Sequence, residues 1–119
     1  MNVLAIDTSV GVSVAILRSN GELTQSQAVD HGMQGELTAE LISHVVADSG
    51  LEISEITDVV VGVGPGPFTG LRVGLVTAAV FAHARNIPIH GICSLDAIAL
   101  DYTQPCVVVT DARRKELYW

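Results

Sequence analysis

The alternation of apolar and polar residues divides the N-terminal part of the chain into short strands. Residues 3–7 form an aliphatic run that ends in a carboxylate, and residues 12–17 place aliphatic side chains at every second position. This period of two predicts strands with one buried face. The sequence Ser19-Asn20-Gly21 is typical of a tight turn and leads into a third strand over residues 22–28. We therefore expect three antiparallel strands at the start of the chain.

The rest of the chain alternates between helical and strand patterns. After a predicted loop over residues 30–35, Leu37, Leu41 and Val45 recur at helical spacing, and Gly50 predicts the end of that helix. The continuous apolar run over residues 58–63 is typical of a strand buried on both faces. The remaining predicted elements are a helix to about Arg85, a strand over 87–92, a helix from an N-cap at Ser94 through Leu100, and a strand over 106–110.

The element order β-β-β-α-β-α-β-α predicts an α/β fold with a mixed sheet and helices packed on it. This is the arrangement of one actin-like, ribonuclease-H-like (ASKHA) lobe. Residues 107–113 repeat the pattern of residues 3–9, in which four residues lead to an Asp and then to a turn. We therefore predict an N-terminal lobe over residues 1–103 and the opening hairpin of a second, similar lobe, cut short, over residues 104–119.

Composition narrows the class of protein. Apolar residues make up 49% of the chain and charged residues 16%, which predicts a folded domain. Six Lys and Arg against thirteen Asp and Glu give a net charge of −7, so we expect any nucleic acid, such as tRNA or DNA, to be contacted only indirectly, through a more basic partner. Cys93 and Cys106 form no CxxC pair, which favours a reduced, cytoplasmic protein. The longest apolar stretch, over 73–82, falls far short of the roughly 20 residues that span a bilayer, so no membrane association is expected.

A glycine-rich turn between the strand over 58–63 and the following helix is the most informative segment. Backbone N–H groups at the start of a helix attract anions, so the turn is a candidate anion site. Pro65 and Pro67 remove two of those donors, and the turn lacks the Gly-Lys-Ser/Thr of a phosphate-binding loop. A rigid structural turn is the favoured interpretation. The residues concerned are Gly64, Gly66, Phe68, Thr69, Gly70 and Arg72.

The helix after this turn carries a stripe of small residues. Gly70, Gly74, Ala78 and Ala82 follow one another at intervals of four, so they lie on one face. Such a stripe lets another helix approach closely. Because the other faces of this helix are also apolar, we favour contact with another subunit over packing within the lobe.

Two further groups of polar residues are candidates for chemistry. Asp7, Thr8 and Ser9 stand at the turn after the first strand, where actin-type ATPases place a carboxylate near the metal and phosphates. They are weak candidates for nucleotide contact, and capping of the turn explains them equally well. The four histidines form no HxxxH or HExxH pair, so the sequence predicts no metal site and no catalytic residue.

The sequence resembles the TsaB (YeaZ) family along its whole length. The resemblance is carried by the string from Gly62 to Gly74, which contains Gly-Pro-Gly-Pro-Phe-Thr-Gly-Leu-Arg, together with residues 4–9 and 111–118. It implies a non-catalytic subunit in the pathway that installs threonylcarbamoyl on the adenosine beside the tRNA anticodon. The expected partners are the catalytic subunit TsaD and the ATPase TsaE, or a second copy when the protein is alone. ATP and a metal are expected on those partners and no cofactor on this chain.

The resemblance also implies an interface formed by the first two helices. TsaD-like relatives hold a metal through an HxxxH pair, whereas this chain has only His31 followed by Gly35. Two alternatives stay open: a fragment of an ATP-dependent sugar or acetate kinase, with Asp7 and residues 64–70 as phosphate loops, and a degenerate metallopeptidase-like protein. The interface residues implied are Leu37, Leu41, Val45, Gly70, Leu71, Gly74, Leu75 and Ala78.

Overall fold

Three antiparallel strands open the chain, as the alternating pattern predicts. A computed structural model describes residues 1–29 and 33–119. The strands are β1 (Val3–Asp7), β2 (Val12–Leu17) and β3 (Leu23–Ala28). The third begins one residue later than predicted. In the register, Val3 pairs with Leu17, and Leu17 in turn pairs with Leu23.

The first helix, α1 (Gln34–Ser49), follows the meander. Residues 34 and 35, predicted as loop, belong to its first turn, while residues 30–32 lie outside the described residues. Gly50 ends the helix in the left-handed conformation with φ 69°, and its N–H bonds to the carbonyl of Ala47. A left-handed residue after a helix favours glycine because glycine has no Cβ to clash. The predicted stop at Gly50 is confirmed.

Parallel pairing completes the sheet. The strand β4 (Asp58–Gly62) pairs parallel with β1, and β5 (Ile89–Ile92) pairs parallel with β4. The helix α2 (Phe68–Arg85) connects those last two strands, and α3 (Ser94–Ala99) follows β5. The strand order β3-β2-β1-β4-β5 and the order β-β-β-α-β-α-β-α confirm the predicted mixed sheet. A short 3₁₀ turn at Ile53–Glu55, before β4, was not predicted.

The core lies between one face of the sheet and the two long helices. Alternate residues of β1, β2 and β4 point into it, and α1 contributes side chains at helical spacing. Burial of these aliphatic groups is the main stabilising contribution. The fully or almost fully buried core residues are Leu4, Ile6, Val12, Val14, Ile16, Val45, Ile56, Val59 and Ala78.

The C-terminal residues form a separate hairpin of β6 (Thr110–Arg113) and β7 (Glu116–Tyr118). The strand predicted over 106–110 was wrong in its bounds, because pairing starts only at Thr110. Val107 is 76% exposed, and within the described residues no strand pairs with positions 106–109. Cys106 is also exposed. The division into lobes at residues 103 and 104 stays a prediction.

None of the helices is a candidate for a membrane span. In residues 1–29 and 33–119, no helix combines the length and the apolar character needed to cross a bilayer.

Neighbouring residues of β2 lie on opposite faces of the sheet and differ in burial. Ile16 is 0% exposed and Leu17 is 46% exposed. We expect Ile16→Ala to lower the free energy of unfolding by about 2–5 kcal/mol, because it removes buried methyl groups and leaves a cavity. Leu17→Ala, on the opposite face, should lower it by less than about 1 kcal/mol. Urea denaturation of both variants measures the difference, and similar decreases would contradict the assigned burial.

Candidate functional site

The turn after β1 holds a carboxylate between two serine hydroxyls. The Oδ1 atom of Asp7 accepts hydrogen bonds from the Ser9 N–H at 2.8 Å and the Ser9 hydroxyl at 2.5 Å. Its Oδ2 atom accepts one from the Ser94 hydroxyl at 2.5 Å. The Ser94 oxygen also accepts from the N–H of Gly64 at 3.2 Å. Asp7 therefore joins the end of β1 to the turn after β4 and to the start of α3.

Ser94 does not act as the predicted N-cap. It is the first residue of α3, and Cys93 occupies the capping position without a side-chain hydrogen bond. The Ser94 hydroxyl is committed to Asp7 instead, a contact between residues 87 positions apart. Asp96, in the first turn of α3, matches its predicted place near the positive end of the helix.

Thr8 connects the same strand end to α2. Its buried hydroxyl donates to the carbonyl of Gly70 at 2.7 Å and accepts from the N–H of Gly74 at 3.0 Å. In a regular helix this carbonyl and this N–H are each other's partners, since they stand four residues apart. The hydroxyl therefore bridges one step of the helical hydrogen-bond ladder and fixes α2 to the central strand.

Glycines make these contacts sterically possible. A Cβ on Gly74 would collide with the Thr8 side chain, and one on Gly62 would collide with the Asp7 carboxylate. A Cβ on Gly70 would lie 2.7 Å from Oε1 of Gln34 in α1. The stripe of small residues on α2 therefore packs within the lobe, contrary to the expectation that it faces another subunit. The apolar character on all sides of the helix had concealed which side faces the sheet.

The glycine-rich turn after β4 packs against the same residues, Ser9 and Ser94. Gly64 has φ +90°, its peptide bond to Pro65 is cis, and its N–H is occupied by Ser94. A Cβ on Gly66 would lie 2.8 Å from Cα of Ser9. These contacts fit the structural interpretation of the turn, and anion binding there stays an untested prediction.

The side chains at the start of α2 are directed outward. Phe68, Thr69 and Arg72 are exposed, and the Arg72 guanidinium stacks on the Phe68 ring at 5.1 Å from its centroid.

The predicted interface residues divide between the core and the surface. Leu41 and Val45 on α1 and Gly70, Gly74 and Ala78 on α2 are buried. Leu37, Leu71 and Leu75 are half-buried. An interface at these positions stays a prediction, but the buried members have no surface to offer a partner.

The list of predicted interface residues left out the apolar residues on the opposite side of α2. Val76 is 58% exposed and Val80 is 63% exposed, and both lie on the same side as Phe68 and Arg72. We call these four residues the outer face of α2. The signal was present in the sequence: once the glycine stripe is assigned to the sheet, the residues half a turn away must face outward.

The sheet face opposite the two long helices carries a concavity of about 470 Å³. Small and polar side chains make up much of its lining, which includes Asp7 and Ser94. The volume lies in the range of small-molecule sites. Its lining includes Ala5, Asp7, Ser13, Ala15, Gln25, Gln27, Val60 and Ser94.

The histidines are dispersed. Among the described residues, no three His, Cys, Asp or Glu side chains are grouped as metal ligands would be. His90 on β5 lies 3.5 Å from Asp58 on β4, at the sheet edge. His31, the single histidine in the region that corresponds to the HxxxH pair of TsaD-like relatives, lies outside the described residues.

Comparison with known proteins agrees with this fold. Residues 35–119 match the family model described as "TsaD: tRNA N6-adenosine threonylcarbamoyltransferase". The tRNA threonylcarbamoyladenosine biosynthesis protein TsaB of Haemophilus influenzae is 31% identical over the whole chain. YeaZ from Pseudomonas aeruginosa superimposes on 99% of the chain with a TM-score of 0.88 and 26% identity. The chain belongs to this family, in its TsaB (YeaZ) branch.

The TsaB-family chain is shorter than its relatives. It spans 52% of the H. influenzae protein and 58% of the P. aeruginosa structure. A protein of Mycobacterium leprae is 48% identical over 98% of the chain, which corresponds to 34% of that protein. The actin-like, ribonuclease-H-like fold predicted for this lobe is confirmed by the YeaZ structure.

The Thr8 bridge yields a direct test of the junction. We expect Thr8→Val to lower the free energy of unfolding by about 1–3 kcal/mol, because the valine removes the buried hydroxyl that bonds both the Gly70 carbonyl and the Gly74 N–H. Thr8→Ser keeps the hydroxyl and should recover most of that stability. Chemical denaturation followed by circular dichroism compares the two variants. Equal stability of the valine and serine variants would show that the hydrogen bonds contribute nothing.

Proposed function

We propose that this chain is a non-catalytic subunit that supports threonylcarbamoyl transfer to the anticodon-adjacent adenosine of tRNA by holding a TsaD-like catalytic subunit. Family membership supports the pathway, since the curated TsaB relatives are named as tRNA threonylcarbamoyladenosine biosynthesis proteins. The match to the TsaD model supports a lobe of similar shape on both partners. A paralogous pair can associate through equivalent surfaces, as two copies do in a symmetric dimer.

The outer face of α2 is the observation that carries this proposal. Val76 and Val80 stand one helical turn apart with more than half of each side chain exposed. Contiguous exposed apolar residues mark candidate interaction surfaces, and Phe68, Val76 and Val80 share one side of α2. The Arg72–Phe68 stack at the start of the helix adds the aromatic and guanidinium groups that are enriched at protein interfaces.

The inner side of α2 supports this use of its outer side. Because Gly70 and Gly74 let the helix lie against Thr8 and Gln34, the position of α2 is fixed from within the lobe. An interface on a fixed helix loses little conformational entropy on association. Of the interface residues predicted from the sequence, Leu37, Leu71 and Leu75 are half-buried, and Leu37 and Leu75 pack against the core.

Charge and partner roles divide between subunits in this scheme. The chain carries −7, so most phosphate contacts with tRNA fall to the TsaD-like subunit. A TsaE-like ATPase supplies nucleotide hydrolysis, and the metal belongs to the partner. In the absence of a TsaD-like subunit, the outer face of α2 pairs with that of a second copy.

Charged substitutions on the outer face test the proposal. We expect Val76→Asp combined with Val80→Asp to weaken association with a TsaD-like subunit by at least about 2 kcal/mol, roughly 30-fold, because two carboxylates would be buried at the interface. Size-exclusion chromatography and native mass spectrometry of the mixture measure the weakening.

The matched control is Val107→Asp, which places a carboxylate on another exposed valine, 76% exposed and away from α2. It should leave association unchanged, and circular dichroism should show that all variants are folded. Retained association of the Val76, Val80 double variant would refute the assignment of this surface.

A further inference from the structure

The positive charges of this acidic chain are concentrated at one point. Of its six Lys and Arg residues, three are consecutive: Arg113, Arg114 and Lys115. They form the tip of the β6–β7 hairpin, and all three are exposed. We call these three residues the hairpin tip.

The backbone of the hairpin tip is unfavourable for the residues it carries. Arg113, Arg114 and Lys115 have φ of 64°, 53° and 62°, in the left-handed region. Two-residue hairpin turns of this kind strongly favour Asn-Gly or Gly-Gly, because side chains with a Cβ are strained there. Strain of this kind at an exposed position points to a functional reason for the side chains present.

The other three cations of the chain are engaged locally, whereas those of the tip are not. Arg18 pairs with Glu22 at 2.8 Å, Arg85 donates to the carbonyl of Ser54 at 3.1 Å, and Arg72 stacks on Phe68. Within residues 1–29 and 33–119, no ion pair involves the hairpin tip.

Two acids flank the tip: Glu116, which pairs with Arg113 in the strand register but forms no ion pair among the described residues, and Asp111, which is used by the turn itself. Its Oδ1 atom accepts a hydrogen bond from the backbone N–H of Arg113 at 2.8 Å. Three adjacent cations therefore project into solvent without a partner of their own among the described residues.

We propose that the hairpin tip binds phosphate groups of tRNA. The planar guanidinium groups of Arg113 and Arg114 match phosphate oxygens in a two-pronged geometry, and Lys115 adds a third charge. The choice of RNA over an acidic protein rests on the proposed function, in which the bound complex modifies tRNA. The net charge of −7 makes this interaction weak alone, so it adds to the grip of a basic partner.

Binding of a fluorescein-labelled, in-vitro transcribed tRNA to the chain alone tests the proposal, by anisotropy between about 20 and 200 mM salt. Arg114→Asn combined with Lys115→Gly supplies the residues that the turn favours and removes two charges. We expect this variant to unfold at a higher temperature than the wild type and yet bind tRNA at least about tenfold more weakly at low salt. The slope of log affinity against log salt should fall by about 0.9 for each phosphate that the variant no longer neutralises.

Arg114→Lys combined with Lys115→Arg is the matched control, since it keeps both charges and the same strained turn. It should bind tRNA as the wild type does. Unchanged affinity and salt slope in the Asn-Gly variant, or absence of tRNA binding by the wild type up to about 100 μM at low salt, would overturn the proposal. Failure of the Asn-Gly variant to bind a TsaD-like subunit, with tRNA binding intact, would overturn it in favour of a protein partner. Failure of subunit pairing alone, with tip-dependent tRNA binding retained, counts against the proposed function and supports the tip.

Discussion

The Thr8 hydroxyl, placed between the carbonyl of Gly70 and the N–H of Gly74, is the contact on which the arrangement of the lobe depends. It ties the end of the central strand to the first turns of α2. The distance between helix and sheet is set there by a hydroxyl, so no side chain fits at position 74. The direction of every other side chain on α2 follows, because a helix fixed on one face has its opposite face determined by geometry. The exposure of Val76 and Val80 is a consequence of this contact.

The contacts at the end of β1 also explain why glycines occupy the last position of β4 and the turn that follows it. A buried or half-buried carboxylate needs hydrogen-bond donors, and Asp7 obtains them from Ser9 and Ser94. Those donors reach it only because Gly62 leaves the space next to Asp7 open and Gly66 lets the following turn approach Ser9. The glycines of this segment are thus explained by its close approach to Asp7 and Ser9. Within this segment the N–H of Gly64 is already paired with the Ser94 hydroxyl, and anion binding by the rest of the turn stays a prediction.

Local signals predicted most of the elements, while long-range contacts decided the site. The alternation over residues 12–17 and the stop at Gly50 are properties of a few adjacent residues, and both were confirmed. The bond between Ser94 and Asp7 joins distant parts of the chain, and a serine before a helix looks the same whether it caps the helix or reaches across the sheet. The run over residues 106–109 has the composition of a strand but no pairing neighbour among the described residues, and composition alone does not supply one.

The pairing of β1 with both β2 and β4 has a consequence for the order of folding. Val3 pairs with Leu17 on one side, a nearby residue, and with Asp58 on the other, a distant one. Contacts between near neighbours close small loops and form early, whereas distant pairs carry a larger entropic cost. During synthesis the three-stranded meander therefore leaves the ribosome with the outer edge of β1 unpaired, and that edge stays unpaired until β4 has been synthesised. The central strand of the finished sheet is thus the one whose second edge stays unpaired longest while the lobe is being made.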